Sequence, residues 1–138
     1  MEKRSIKITI AFLLFAFVLV MGIFRKSSLR NNFEVSTGEI IEMGLSRNSG
    51  NTIFFKFKFS LNNDLFYGNT GIGCDRLKKA ILSDLLLGKK MQIIYDKTNV
   101  NNCKMLFKKS EYDKYQLDIS PDYLPIINII DNICSERK

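Results

Sequence analysis

The sequence predicts a mainly-β fold with one or two short helices: a small five-stranded OB-like or related barrel behind one N-terminal transmembrane helix. Three observations predict it. An uncharged apolar block lies near the N-terminus, hydrophobicity then switches to a period of two, and a helical stripe interrupts the strands after the third of them.

The apolar block runs from Ile8 to Phe24, seventeen residues without a charge, of which twelve are Ile, Leu, Phe or Val. As a helix it spans about 25 Å, and Ile6 with a snorkelling Lys7 extends it toward the roughly 30 Å of bilayer hydrocarbon. Ile8, Phe12, Leu13, Leu14, Phe15, Phe17 and Leu19 are the expected lipid-facing anchor. A soluble core helix would carry a polar face, and none appears between Thr9 and Phe24. A cleavable signal would end in small residues, whereas Met21-Gly22-Ile23-Phe24-Arg25-Lys26 places bulky or charged ones there. The expectation is therefore an uncleaved single-pass anchor within residues 1–30. Lys3, Arg4 and Lys7 balance Arg25, Lys26 and Arg30, so the positive-inside count is a tie. The short N-terminal tail tips the reading toward an extracytoplasmic domain.

Charge follows the same division. The chain has 138 residues and a formal net charge of +7, but six of its cations flank the apolar block against Glu2 alone. The remaining 108 residues hold 15 basic and 13 acidic side chains. That placement suits anionic lipid headgroups, at roughly 1 kcal/mol per nearby Lys or Arg, better than a basic groove for nucleic acid.

Residues 25–34 read as a polar juxtamembrane linker, and residues 31–109 as the β-domain. Val35 to Leu45 is β-rich, with Ile41, Met43 and Leu45 in alternation, and residues 46–50 form a hairpin-type loop. In the next strand Ile53, Phe55, Phe57, Phe59 and Leu61 share one face, and Thr52, Lys56, Lys58 and Ser60 share the other with Phe54. Asn62-Asn63-Asp64 is a turn leading to a third strand over Leu65 to Thr70, which Gly71 and Gly73 then break. Asp75 is placed to cap a helix whose stripe is Leu77, Ile81, Leu82, Leu85 and Leu86, and Gly88 ends it. Lys89 to Tyr95 returns to strand, residues 96–102 turn, and Lys104 to Phe107 pairs as the fifth strand. Residues 110–138 form a C-terminal extension, helical by the spacing of Leu124, Ile127, Ile130 and Ile133, with Pro121 suited to its first turn.

Thr37-Gly38-Glu39-Ile40-Ile41, Phe54-Phe55-Lys56-Phe57, and Gly88 leading to Ile93-Ile94-Tyr95-Asp96 carry a resemblance across residues 35–107. Through them the chain resembles a family of small uncharacterised bacterial membrane-anchored β-domain proteins with a signature like G-x-x-V-x-V-x-Y-D-P-x-N-P-x-x-S. Here that segment reads GKKMQIIYDKTNVNNCKM, with Lys97 and Val100 in place of both prolines. The resemblance implies architecture rather than a catalytic set. It also implies an immunity-like or accessory role, by analogy with members that neighbour secretion or toxin systems.

For chemistry the inventory is thin. Histidine is absent, which removes Ser-His and Cys-His nucleophile pairs and the common zinc sites. Cys74, Cys103 and Cys134 lack metal-ligand spacing. They read as small apolar residues, or as a Cys74–Cys103 disulfide in an oxidising compartment. Gly71-Ile72-Gly73 matches no phosphate loop, and Glu39 with Glu42 or Asp118 with Asp122 read as surface charges rather than catalytic or metal pairs. No catalytic, cofactor or metal residues are therefore assigned. Phe54 and Tyr67, with Lys56 and Lys58, form the candidate partner surface. The leading expectation is a non-enzymatic membrane-tethered accessory or protein-binding module whose partners are the bilayer and a protein. The alternative is an OB-type binder of nucleic acid or polyanionic glycan.

Overall fold

In the computed structural model, which describes residues 2–46 and 51–135, helix α1 (Glu2–Asn31) leads through Asn32 directly into strand β1 (Phe33–Leu45). The linker expected over residues 25–34 is instead the last turns of α1 and the start of β1. A polar stretch stays helical here because the barrel supplies partners for it. Leu29 is buried in the core, and the Ser28 hydroxyl donates to the Asp96 carboxylate. Asn102 Nδ2 donates to the Arg25 carbonyl at 2.9 Å, and the Lys97 N–H donates to the Asn32 carbonyl at 3.0 Å.

Four further strands follow: β2 (Thr52–Leu61), β3 (Asp64–Gly73), β4 (Lys90–Asp96) and β5 (Asn99–Met105). They pair antiparallel in the order β3-β2-β1-β4-β5, and β3 and β5 come together so that the sheet is nearly closed into a barrel. At the seam the Met105 N–H donates to Thr70 Oγ1 at 2.9 Å. Gly68 also marks the closure, because a Cβ there would fall 2.3 Å from Phe57 Cζ and 2.6 Å from Cys103 Sγ. Ile40, Ile53, Phe55, Phe57, Phe59, Met91, Ile93 and Met105 fill the interior. Asn62 and Asn63 take positive φ of 50° and 72°, as a two-residue hairpin turn between β2 and β3 requires.

Several elements differ from their sequence reading. A bulge between Ile40 and Glu42 reverses the alternation of β1, so Gly38 and Ile40 face inward before it, Met43 and Leu45 after it, and Ile41 stays outside. β3 continues through Gly71 to Gly73, paired with Phe54 to Thr52, because ladder partners hold a glycine in a strand that composition alone would end. The fifth strand lies earlier than expected, at Asn99–Met105. The hairpin loop expected over 46–50 falls largely outside the described residues, although the Ser46 N–H still reaches the Thr52 carbonyl at 3.1 Å.

After β3, Asp75 Oδ1 accepts the Leu77 N–H at 3.0 Å and opens a 3₁₀ turn (Arg76–Lys78) that runs into α2 (Lys79–Leu86). Gly88, at φ +75°, closes the segment. Only part of the expected stripe faces the core: Leu82 and Leu86 are buried, while Leu77 and Ile81 are 85% and 50% exposed.

The C-terminal chain makes two helices rather than one, α3 (Lys109–Tyr115) and α4 (Leu124–Ile133). α3, KSEYDKY, has almost no apolar period; Glu111 starts it by accepting the Phe107 N–H at 2.8 Å. Pro125 rather than Pro121 sits in the first turn of α4. Tyr115 meets Phe33 edge-on, Glu111 pairs with Lys104 at 2.5 Å, and Tyr123 and Thr37 hydroxyls lie 3.5 Å apart. These contacts lay the extension over the outer side of β1, β4 and β5, where Ile94 and Leu106 are fully buried. A disulfide joins Cys74, just after β3, to Cys134 at the end of α4. The Cys74–Cys103 alternative is thereby corrected: Cys103 lies on β5 as a free thiol that burial pushes up to about 11.

Candidate functional site

Two surfaces carry the residues of interest. The first is the outer face of β2 and β3. Lys58 stands opposite Tyr67, Lys56 opposite Asn69 and Phe54 opposite Gly71, so the structure places Phe54, Lys56, Lys58 and Tyr67 on one face. Phe54 is 41% exposed and Tyr67 52%. The Phe54 ring lies over Gly71, since a Cβ there would come 2.9 Å from Phe54 Cε1. This cover supports the strand where the glycine leaves no side chain to pack.

The cations on this face are not free. Lys58 pairs with Glu39 at 3.4 Å and Lys56 with Glu42 at 3.8 Å, both across the β1–β2 ladder. Glu39 and Glu42 are thus partners of lysines and not of each other. Exposed pairs of this kind add at most about 1 kcal/mol each, but they leave a mixed surface in place of a cationic one. Asp118 and Asp122 are exposed on the loop before α4, and Gly71-Ile72-Gly73 is ladder-paired strand. Among the described residues no three Cys, Asp or Glu side chains converge on a metal position.

The second surface is the dock between α1 and the barrel, which periodicity did not reveal. Asp96 is its centre: its carboxylate accepts from Ser28, from the Thr98 hydroxyl at 2.7 Å, from the Thr98 N–H at 2.9 Å and from Asn102 at 3.4 Å. These donors, Ser28 foremost and then Thr98, outweigh desolvation and hold the Asp96 carboxyl down to about 2. Beside it the Tyr95 hydroxyl donates to Glu34 at 2.5 Å, with Lys97 3.4 Å from the same carboxylate. The Tyr95 bond, and then Lys97, lower Glu34; the same bond raises Tyr95. The sequence signal was the Tyr95-Asp96 pair: Asp96 clamps the foot of the helix through Ser28, and Tyr95 ties β4 to the start of β1 through Glu34.

Outward from the dock, α1 is bare. Ile8, Phe12, Leu13, Leu14, Phe15, Phe17 and Leu19 are between 52% and 71% exposed, and residues 8–31 form a helix long and apolar enough to cross a membrane or serve as a signal sequence. Between the foot of α1, β3, β5 and α3 lies a cavity of about 370 Å³. No known protein family, curated protein or solved structure matches the chain.

Proposed function

We propose that this protein is a membrane-tethered, non-enzymatic accessory module: α1 anchors it as a single-pass helix and the barrel binds a protein partner. The observation that supports it is the junction. The uncharged, largely exposed run from Ile8 to Phe24 continues in the same helix into a foot fastened by Leu29, Ser28–Asp96 and Asn102. A barrel fastened that way is held in one pose against the lipid and presents its β2–β3 face in a constant direction. Exposed apolar area as large as that of α1 is stable only when covered, and bilayer hydrocarbon covers a run of this length between its two charged flanks.

The Cys74–Cys134 disulfide supports an extracytoplasmic barrel, because such bonds persist in oxidising compartments. It adds weight where the charge count is tied. An immunity-like role is the form of accessory function that the family resemblance implies. Binding of nucleic acid or a polyanionic glycan would require free cations on the β2–β3 face, and Glu39 and Glu42 occupy Lys58 and Lys56 there.

The test is a photo-crosslinking residue at Tyr67 in the membrane-inserted full-length chain, with the same residue at Lys79 as comparison. The expected result is one discrete protein adduct at position 67, lost on Phe54→Ala. No adduct, or the same adducts from both positions, would refute the partner-binding reading.

A further inference from the structure

The cavity at the foot of α1 has an address as well as a volume. Phe24 ends the apolar run and Arg25 opens the polar one, so the hydrocarbon boundary falls between them. The helix residues bordering the cavity run from Gly22 to Leu29, about 10 Å of axis. The headgroup zone of one leaflet is about 5–7 Å deep. With α1 upright in a bilayer, the cavity opens at headgroup depth.

Its walls are cationic. Arg25 and Lys26 come from α1, Lys104 from β5 and Lys114 from α3, and no carboxylate lines it. Lys104 is paired with Glu111 at 2.5 Å. Arg25, Lys26 and Lys114 have no carboxylate partner among the described residues, and the Lys114 ammonium is held 5.5 Å above the Tyr115 ring. Three uncompensated charges from two elements some 90 residues apart in sequence converge on one recess. An anion seated between them would meet charges that no carboxylate already neutralises. This contrasts with the β2–β3 face, where each lysine has its own carboxylate.

We propose that this cavity holds the phosphodiester headgroup of an anionic phospholipid from the leaflet that the barrel faces. Arg25 supplies the planar fork that suits a phosphate, Lys26 and Lys114 act as point charges, and the acyl chains lie along the apolar surface of α1 below Gly22. The bound lipid would then brace α3 against α1. This assignment rests on the reading of α1 as membrane-inserted.

The test uses the full-length chain in nanodiscs of phosphatidylcholine doped with phosphatidylglycerol, with lipid retained after transfer to detergent counted by native mass spectrometry. Wild type should retain phosphatidylglycerol in preference to phosphatidylcholine, and Arg25→Gln/Lys114→Gln should lower that retention by about tenfold. The Lys56→Gln/Lys58→Gln pair removes the same charge elsewhere and should leave retention unchanged. An intact Cys74–Cys134 bond and an unshifted thermal midpoint confirm that each variant folds. Equal loss in both double variants, or no preference in wild type, overturns the proposal. Displacement of the retained lipid by inorganic phosphate would also overturn it, by assigning the cavity to a soluble phosphate. If the membrane reading itself were wrong, the chain would not enter the discs at all, a separate outcome.

Discussion

The barrel has two outer sides built on opposite plans. Over β4 and β5 the outward Ile94 and Leu106 are fully buried beneath the C-terminal extension; over β2 and β3 the outward Phe54 and Tyr67 remain open and the lysines are covered only by their ion pairs. One side is a second packed layer, and the other is a ladder of cross-strand pairs. The difference separates what stabilises the molecule from what it can offer to a partner. A packed layer must stay closed, whereas a ladder of exposed pairs tolerates change and contact.

The largest effect should come from releasing the packed layer. Cys134→Ser removes a cross-link between residues 60 apart, worth about 4 kcal/mol on the chain-entropy account. Urea unfolding of the detergent-solubilised protein should show that loss, and a change below 1 kcal/mol would mean that the extension holds without its staple. Next, Ile94→Ala opens a cavity between the sheet and the extension and should cost about 2–4 kcal/mol. A cost near zero there would show that the two sides are not distinct.

The third prediction concerns pH at the dock. Asp96 titrates near 3.9 when unfolded and about 2 when folded, so its contribution is fully present above about pH 4 and is lost as pH falls through about 2. The stability difference between wild type and Asp96→Asn should accordingly shrink between pH 4 and pH 2 and stay constant above. A difference that grows on acidification would reverse the sign and remove Asp96 from the clamp. The smallest effect belongs to the open side: Lys58→Gln should change stability by less than about 1 kcal/mol, and by less still at high salt. A larger, salt-independent loss would show that this face is structural.

Much of the architecture was legible because it depends on neighbours in the chain. The lipid-compatible run from Ile8 to Phe24, the alternation of Ile53 to Leu61, the Asn62-Asn63 turn, the Asp75 cap and the Gly88 stop each arise within a few residues of themselves. That Phe54, Lys56 and Lys58 share one face was legible for the same reason, since period two already places them together. Their ion pairs were not, because Glu39 and Glu42 are assigned by a register that a bulge at Ile41 shifts. α3 stayed hidden because its seven residues owe their helix to Glu111 capping and to packing of Tyr112 and Tyr115.

By itself, then, the sequence determined an apolar helix, a β-rich domain with a helix between its third and fourth strands, and the absence of histidine. Only the tertiary structure decided that the helix runs on to Asn31, that Cys74 finds Cys134, and that Arg25, Lys26 and Lys114 share one recess. The physical reason is range. Propensity, capping and periodicity act over one or two turns, whereas Ser28 becomes helical foot rather than linker only because Asp96, 68 residues away, is folded beside it.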